Sequence, residues 1–169
     1  GLSLADLVKQ YGPVSAGRLI YLLRQTCEAL GEAHKIGLIH RDIKPANIFA
    51  AERGGCFDVA KLLDFGLVKP MAAETDVQLT QEGACVGSPL YMSPEQATVQ
   101  RETDARSDIY SLGVLLYELL TGKLPVSLTG VPLSEVARRV SEATIVPLRK
   151  HDRRLRGDLE SIVEKAMEK

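Results

Sequence analysis

His40-Arg41-Asp42-Ile43-Lys44-Pro45-Ala46-Asn47 packs a carboxylate, basic side chains and an amide into eight consecutive residues. Apolar pairs bound it, Leu38-Ile39 before and Ile48-Phe49 after. Pro45 can neither continue a helix nor donate to a sheet ladder, so the stretch reads as a loop between two buried elements. Asp64-Phe65-Gly66 follows seventeen residues after Asn47, behind the apolar pair Leu62-Leu63. Alone, each tripeptide would pass for a solvated turn. In this order, with Lys44 and Asn47 both present, they read as two loops of one site.

The residue types suit phosphoryl transfer, which asks the protein for positioning and charge neutralisation rather than covalent work. A hard cation such as Mg²⁺ takes oxygen ligands, and the Asp64 carboxylate and the Asn47 amide can supply them. Asp42 is the candidate to orient an incoming hydroxyl and accept its proton, a role generally worth about 10²- to 10⁴-fold in rate. Lys44 lies two residues along, so in an extended loop it shares a side with Asp42 and can neutralise the transferring group.

On these motifs the chain resembles the eukaryotic-like serine/threonine protein kinases, the bacterial branch in particular. The resemblance covers nearly all of residues 1–169 but only as the C-terminal lobe, with the N-terminal lobe absent. It implies a mainly α fold, a kinase-like C-lobe with one or two short β-hairpins, whose catalytic loop is residues 40–47 and whose activation segment is residues 64–95. By this likeness Asp42 is the base, Lys44 contacts phosphate, and Asn47 and Asp64 hold Mg²⁺ against ATP. His40, Phe65, Gly66, Glu95 and Asp108 take structural roles, Asp108 by accepting backbone N–H groups of the catalytic loop. Lys44 also points to serine or threonine as acceptor, since tyrosine kinases typically lack a lysine there. Protein is the implied substrate.

Composition sets outer bounds. The chain has 169 residues, 45% hydrophobic and 25% charged, with a formal net charge of −1, ordinary for one globular domain. Nothing in that balance calls for nucleic acid or an anionic membrane. Cys27, Cys56 and Cys85 cannot all pair and form no C-x-x-C site, which suits a reducing cytosol. The longest apolar run, residues 113–120, is far short of the roughly 20 needed to span a bilayer. A cytoplasmic segment is expected, with any membrane anchor of the parent lying elsewhere. The basic run at residues 149–156 reads as solvated surface.

In chain order, a short helix is expected over residues 1–10, capped by Ser3, and a long one over 15–35. The latter carries Leu19, Leu22, Leu23, Leu30 and Ala33 on one stripe together with Cys27. Strands at 48–50 and 59–63 flank a surface loop at 51–58. Residues 64–95 lack regular patterning and are rich in Thr, Gly, Ser and Pro; so long a loop is usually functional. It closes on Ser93-Pro94-Glu95, where the commoner kinase ending is A-P-E. Thr80 is the expected regulatory phosphosite, with Thr75 second and Ser88 third, and Arg41 the arginine that would pair with the phosphate. A buried helix is expected over 107–121, capped by Ser107 or Asp104, with Ile109 among its apolar residues. Helices at 134–142 and 158–169 follow, the last with Leu159, Ile162, Val163 and Ala166 as its stripe.

No G-x-G-x-x-G, no V-A-I-K strand and no partner helix glutamate occurs in these residues. The 169 residues alone are therefore expected to be inactive, with ATP and Mg²⁺ binding weak or absent, although the parent is an active kinase. The missing lobe is then a partner, and the surface it leaves uncovered favours self-association. Glu95 is expected to lack its usual buried arginine, leaving that corner loose or locally rearranged. Two other readings stand beside this one. A pseudokinase-like binding module is opposed by intact Asp42, Asn47 and Asp64; a small-molecule phosphotransferase is opposed by the Arg41-to-Lys44 pattern.

Overall fold

The computed structural model describes residues 1–65, 77–79, 85–97 and 103–169, and most of its longer helices begin where a short polar side chain can cap them. The Ser3 hydroxyl accepts the Asp6 N–H at 3.0 Å and donates to the Asp6 carboxylate at 2.7 Å, starting α1 (Leu4–Tyr11). Ahead of that cap the chain is not helical. Leu2–Ser3 is a strand, β1, paired antiparallel with residues 49–50. Ser15 caps α2 (Ala16–Lys35), whose buried face is Leu19, Leu22, Leu23, Thr26, Leu30 and Ala33. Cys27, expected on that stripe, is exposed instead. Thr26 takes the place because its hydroxyl donates to the Leu22 carbonyl at 3.1 Å, which satisfies a buried polar group within the helix.

The expected surface loop at 51–58 is strand. β2 (Ile48–Arg53) and β3 (Cys56–Leu62) pair antiparallel up to Arg53 and Cys56, closing on the two-residue turn Gly54-Gly55. Both glycines have positive φ, 58° and 79°, the requirement of a tight hairpin turn whose twist matches the strands. The sheet order is β1-β2-β3. The Arg18 guanidinium grips the Asp58 carboxylate with two 2.8 Å bonds. Gln25 donates to the Asp58 carbonyl at 2.9 Å and accepts the Ala60 N–H at 3.1 Å. These contacts dock the hairpin on α2.

Within the segment expected to be irregular, β4 (Val77–Leu79) pairs with β5 (Cys85–Gly87). A 3-10 turn over Ser88–Tyr91 and the single helical turn α3 (Pro94–Ala97) follow. Gly66, Thr75 and Thr80 lie outside the described residues.

α4 (Ala105–Thr121) is the central element, with eleven buried residues. Asp104 is its cap, accepting the Arg106 N–H at 2.8 Å, and Gly122 ends it at φ 69°. Ile109 departs from expectation at 46% exposure, so the apolar girdle is open at that position. α5 (Leu133–Glu142) lies toward α3, and α6 (Asp158–Ala166) packs across α4. On α6 the inward residues are Glu160, Val163 and then Met167, while Ile162 faces outward. Glu160 is buried because Arg149 reaches it twice, through its backbone N–H at 2.9 Å and its guanidinium at 2.6 Å. The basic run is thus not wholly solvated surface.

Gly113 is where α4 and α6 touch most closely. A Cβ there would stand 2.8 Å from Met167 Cγ and 2.9 Å from Ala166 Cβ. Gly113→Ala gains about 1 kcal/mol of helix propensity but overpacks a helix crossing, at about 1–3 kcal/mol. Ala166 is part of a helix and cannot swing aside, so net destabilisation of about 1 kcal/mol is expected by urea unfolding; a more stable variant would contradict this packing.

The Arg149 backbone N–H, and after it the guanidinium, hold the Glu160 carboxyl below its usual range against an opposing effect of desolvation. Its folded pKa is depressed, so its stabilisation is present above the ordinary glutamate value of about 4.3. It is lost as pH falls through the depressed value. Glu160→Gln should therefore lower stability at neutral pH and flatten the acid limb of the stability profile; an unchanged acid limb would count against the pair.

Candidate active site

The loop at 40–47 is held from beneath by one carboxylate. Asp108, in the first turn of α4, is fully buried and accepts three hydrogen bonds. His40 N–H reaches Oδ2 at 2.9 Å, Arg41 N–H reaches Oδ1 at 2.8 Å, and His34 Nε2 reaches Oδ2 at 2.8 Å. Burying a carboxylate is costly unless its charge is answered by donors; here two backbone N–H groups and an imidazole answer it. Arg41 is thereby kept at φ 67°, in the left-handed region that non-glycine residues occupy at a cost of about 1–3 kcal/mol.

His40 carries the constraint to the second loop. Its Nε2 donates to the Leu63 carbonyl at 2.7 Å, while Nδ1 accepts the Asp42 N–H at 3.3 Å. Both contacts fit one tautomer, with the proton on Nε2. Leu63 N–H in turn donates to the Asn47 carbonyl at 2.9 Å. Leu63 is tied to the 40–47 loop through both its N–H and its C=O, and the next residue is Asp64, itself at φ 62°. Phe65 lays its ring edge-on to His40, centroids 4.9 Å apart.

Asp42, Lys44 and Asn47 converge. Lys44 Nζ stands 2.9 Å from Asp42 Oδ2. Asn47 Nδ2 donates to the Asp42 carbonyl at 2.8 Å and to Asp42 Oδ2 at 3.0 Å. The 3-10 turn at Pro45–Asn47 brings these residues round, with Pro45 at its first position, where a missing N–H costs nothing. With its nitrogen committed twice, the Asn47 amide presents its oxygen as a ligand. One amide oxygen and the exposed Asp64 carboxylate would make a sparse, hard donor set, of the kind that suits Mg²⁺ held mainly by phosphate and water. Among the described residues no cluster of three or more His, Cys, Asp or Glu side chains forms an alternative metal site.

The end of the 64–95 segment is bound to α4. Tyr91 donates to Glu118 at 2.6 Å, and the Ser111 hydroxyl donates to the Tyr91 carbonyl at 2.7 Å. Burial, reinforced by the hydrogen bond to Glu118, pushes the Tyr91 phenol well up. At Glu95, where a loose or locally rearranged corner is expected, the Ser107 hydroxyl donates to Glu95 Oε1 at 2.5 Å. Ser107, considered above as a helix cap, serves this contact instead. Ser88 opens the 3-10 turn, away from the 40–47 loop in sequence.

His34 is a site residue that sequence reading missed. It sits in the last turn of α2, six residues before His40, and only the tertiary fold brings it to Asp108. In Asp108→Asn, whichever way the amide faces, its nitrogen points at a donor. A loss of about 1–3 kcal/mol is expected from the buried mismatch, measured by chemical unfolding. An unchanged midpoint would show that the carboxylate does not anchor the loop.

The protein kinase domain family model matches residues 1–167. Serine/threonine-protein kinase PknB of Mycobacterium tuberculosis is 41% identical over 170 residues, covering 100% of this chain and 26% of that protein. Serine/threonine-protein kinase Pkn1 of Myxococcus xanthus is 44% identical over 128 residues, covering 76% of this chain and 18% of that one. Among solved structures, Rad53 1-466 in complex with AMP-PNP matches with a TM-score of 0.73 at 25% identity, covering 99% of this chain and 39% of that chain. The chain thus spans about a quarter of the PknB relative's length, 26%. A helical lobe built on α4, two loops locked through Leu63, and a family match over nearly every residue agree: this chain belongs to the protein kinase family.

Proposed function

We propose that these residues are the C-terminal catalytic lobe, 1–169, of a serine/threonine protein kinase, and that the protein carrying them transfers the γ-phosphoryl of ATP to protein hydroxyls. The observation that carries the reading is the convergence of Lys44 and Asn47 on the Asp42 carboxylate, at 2.9 and 3.0 Å. Asn47 and Lys44 together fix where that carboxylate points. In this reading Asp42 orients the substrate hydroxyl and takes its proton, and the Lys44 ammonium balances charge on the moving phosphoryl. Asn47 and Asp64 would hold Mg²⁺, which when bound neutralises the phosphate oxygens.

Residues 1–169 contain no glycine-rich phosphate cover. They are therefore expected to bind ATP weakly and to transfer no phosphate alone, the rest of the kinase domain being the required partner. The uncovered face would favour self-association. Thr80, with Thr75 and Ser88 as alternatives, is the proposed control phosphosite, its charge paired by the exposed Arg41.

The full-length protein incubated with Mg²⁺-ATP should phosphorylate itself or a generic protein substrate on serine and threonine, read by peptide mass spectrometry. Asp42→Asn should slow transfer by about 10²-fold or more. Equal transfer by Asp42→Asn, or phosphate confined to tyrosine, would overturn the assignment.

A further inference from the structure

Ser93-Pro94-Glu95-Gln96 is a capping box as well as the end of the activation segment. The Ser93 hydroxyl accepts the Gln96 N–H at 3.3 Å, and Gln96 Oε1 accepts the Ser93 N–H at 3.1 Å. This reciprocal pair is the S-x-x-Q signature of a helix start, with proline at the first helical position. Ser93 is fully buried.

The other end of the same amide goes elsewhere. Gln96 Nε2 donates to the Arg41 carbonyl at 2.9 Å, across 55 residues of sequence. The two contacts require one another. Oε1 faces an N–H and Nε2 faces a carbonyl, so a flipped amide would set like against like at both ends. Arg41 is the left-handed residue directly before Asp42, and its N–H is already held by Asp108. Its peptide groups are thus gripped on both sides, by α4 through the N–H and by α3 through the carbonyl.

We propose that Gln96 is a positioning residue for phosphoryl transfer: its amide locks the strained Arg41 backbone that aims Asp42, and so couples the seating of α3 to the alignment of the base. The inference rests on the kinase reading above.

Gln96→Glu separates the two jobs. A glutamate at this position still caps Ser93, so the helix start survives, but it sets an oxygen against the Arg41 carbonyl. In the full-length protein, its KM for ATP should match the wild type and its thermal midpoint should fall by no more than the loss of one hydrogen bond, while kcat falls by roughly 10- to 10²-fold, as for other small misplacements of a catalytic group. Ser93→Ala does the reverse: it weakens the cap, lowers the midpoint and keeps kcat within about twofold, because the Gln96 bond to Arg41 remains. A kcat unchanged in well-folded Gln96→Glu overturns the inference. So does an equal fall of kcat in Ser93→Ala, which would assign the defect to the cap. If Gln96→Glu does not fold, Gln96→Met, of similar length and without polar ends, must show the kcat loss, and wild-type kcat in it overturns the inference. Wild-type protein with no Asp42-dependent transfer would instead refute the kinase reading itself.

Discussion

One buried carboxylate organises the site. Asp108 is placed by the cap of α4, fully buried, and its two oxygens take up His40 N–H, Arg41 N–H and His34 Nε2. The same charge would be a liability in that position with fewer donors. With three, it converts a loop carrying a left-handed non-glycine residue into a fixed platform. His40, held by its backbone, then uses its ring to hold Leu63, and Leu63 delivers Asp64. The path from helix to carboxylate to imidazole to the second loop is a chain of direct hydrogen bonds.

The described end of the 64–95 segment is stitched to the same helix. Ser107, Ser111 and Glu118, spaced by one turn and then two along α4, bind Glu95, the Tyr91 carbonyl and the Tyr91 hydroxyl respectively. Helical spacing aligns the three partners on one face. A single helix therefore sets both the loop that carries Asp42 and the segment expected to meet a substrate. Gln96 joins the two directly, which is why its amide is proposed to matter beyond its cap.

Much of this was legible in the sequence, for identifiable reasons. The helix starts at Ser3, Ser15 and Asp104 follow from capping chemistry, and the tie of Asp108 to the 40–47 loop was expected from resemblance. Failures arose where tertiary contacts overrode periodicity. Thr26 displaced Cys27 from the core because a hydroxyl can bond its own helix, and Glu160 displaced Ile162 because Arg149 came from outside the helix to meet it. The residues at 51–58 looked like a loop because Gly54-Gly55 marks the turn but not how far the strands run up to it; cross-strand pairing carries the ladder on to Arg53 and Cys56. His34 carried no local mark. Gln96 did: S-x-x-Q is a readable capping box, which overlaps the Ser93-Pro94-Glu95 ending.

The central claim is that Asp108 holds the 40–47 loop from beneath, and the amides of His40 and Arg41 report on it directly. Native-state hydrogen exchange should find both among the most protected amides of the protein, opening only with large-scale unfolding, although they lie in a loop. In Asp108→Asn their protection should collapse while that of the α2 core stays close to wild type. Exchange of His40 and Arg41 at ordinary loop rates in the wild-type protein would contradict the account.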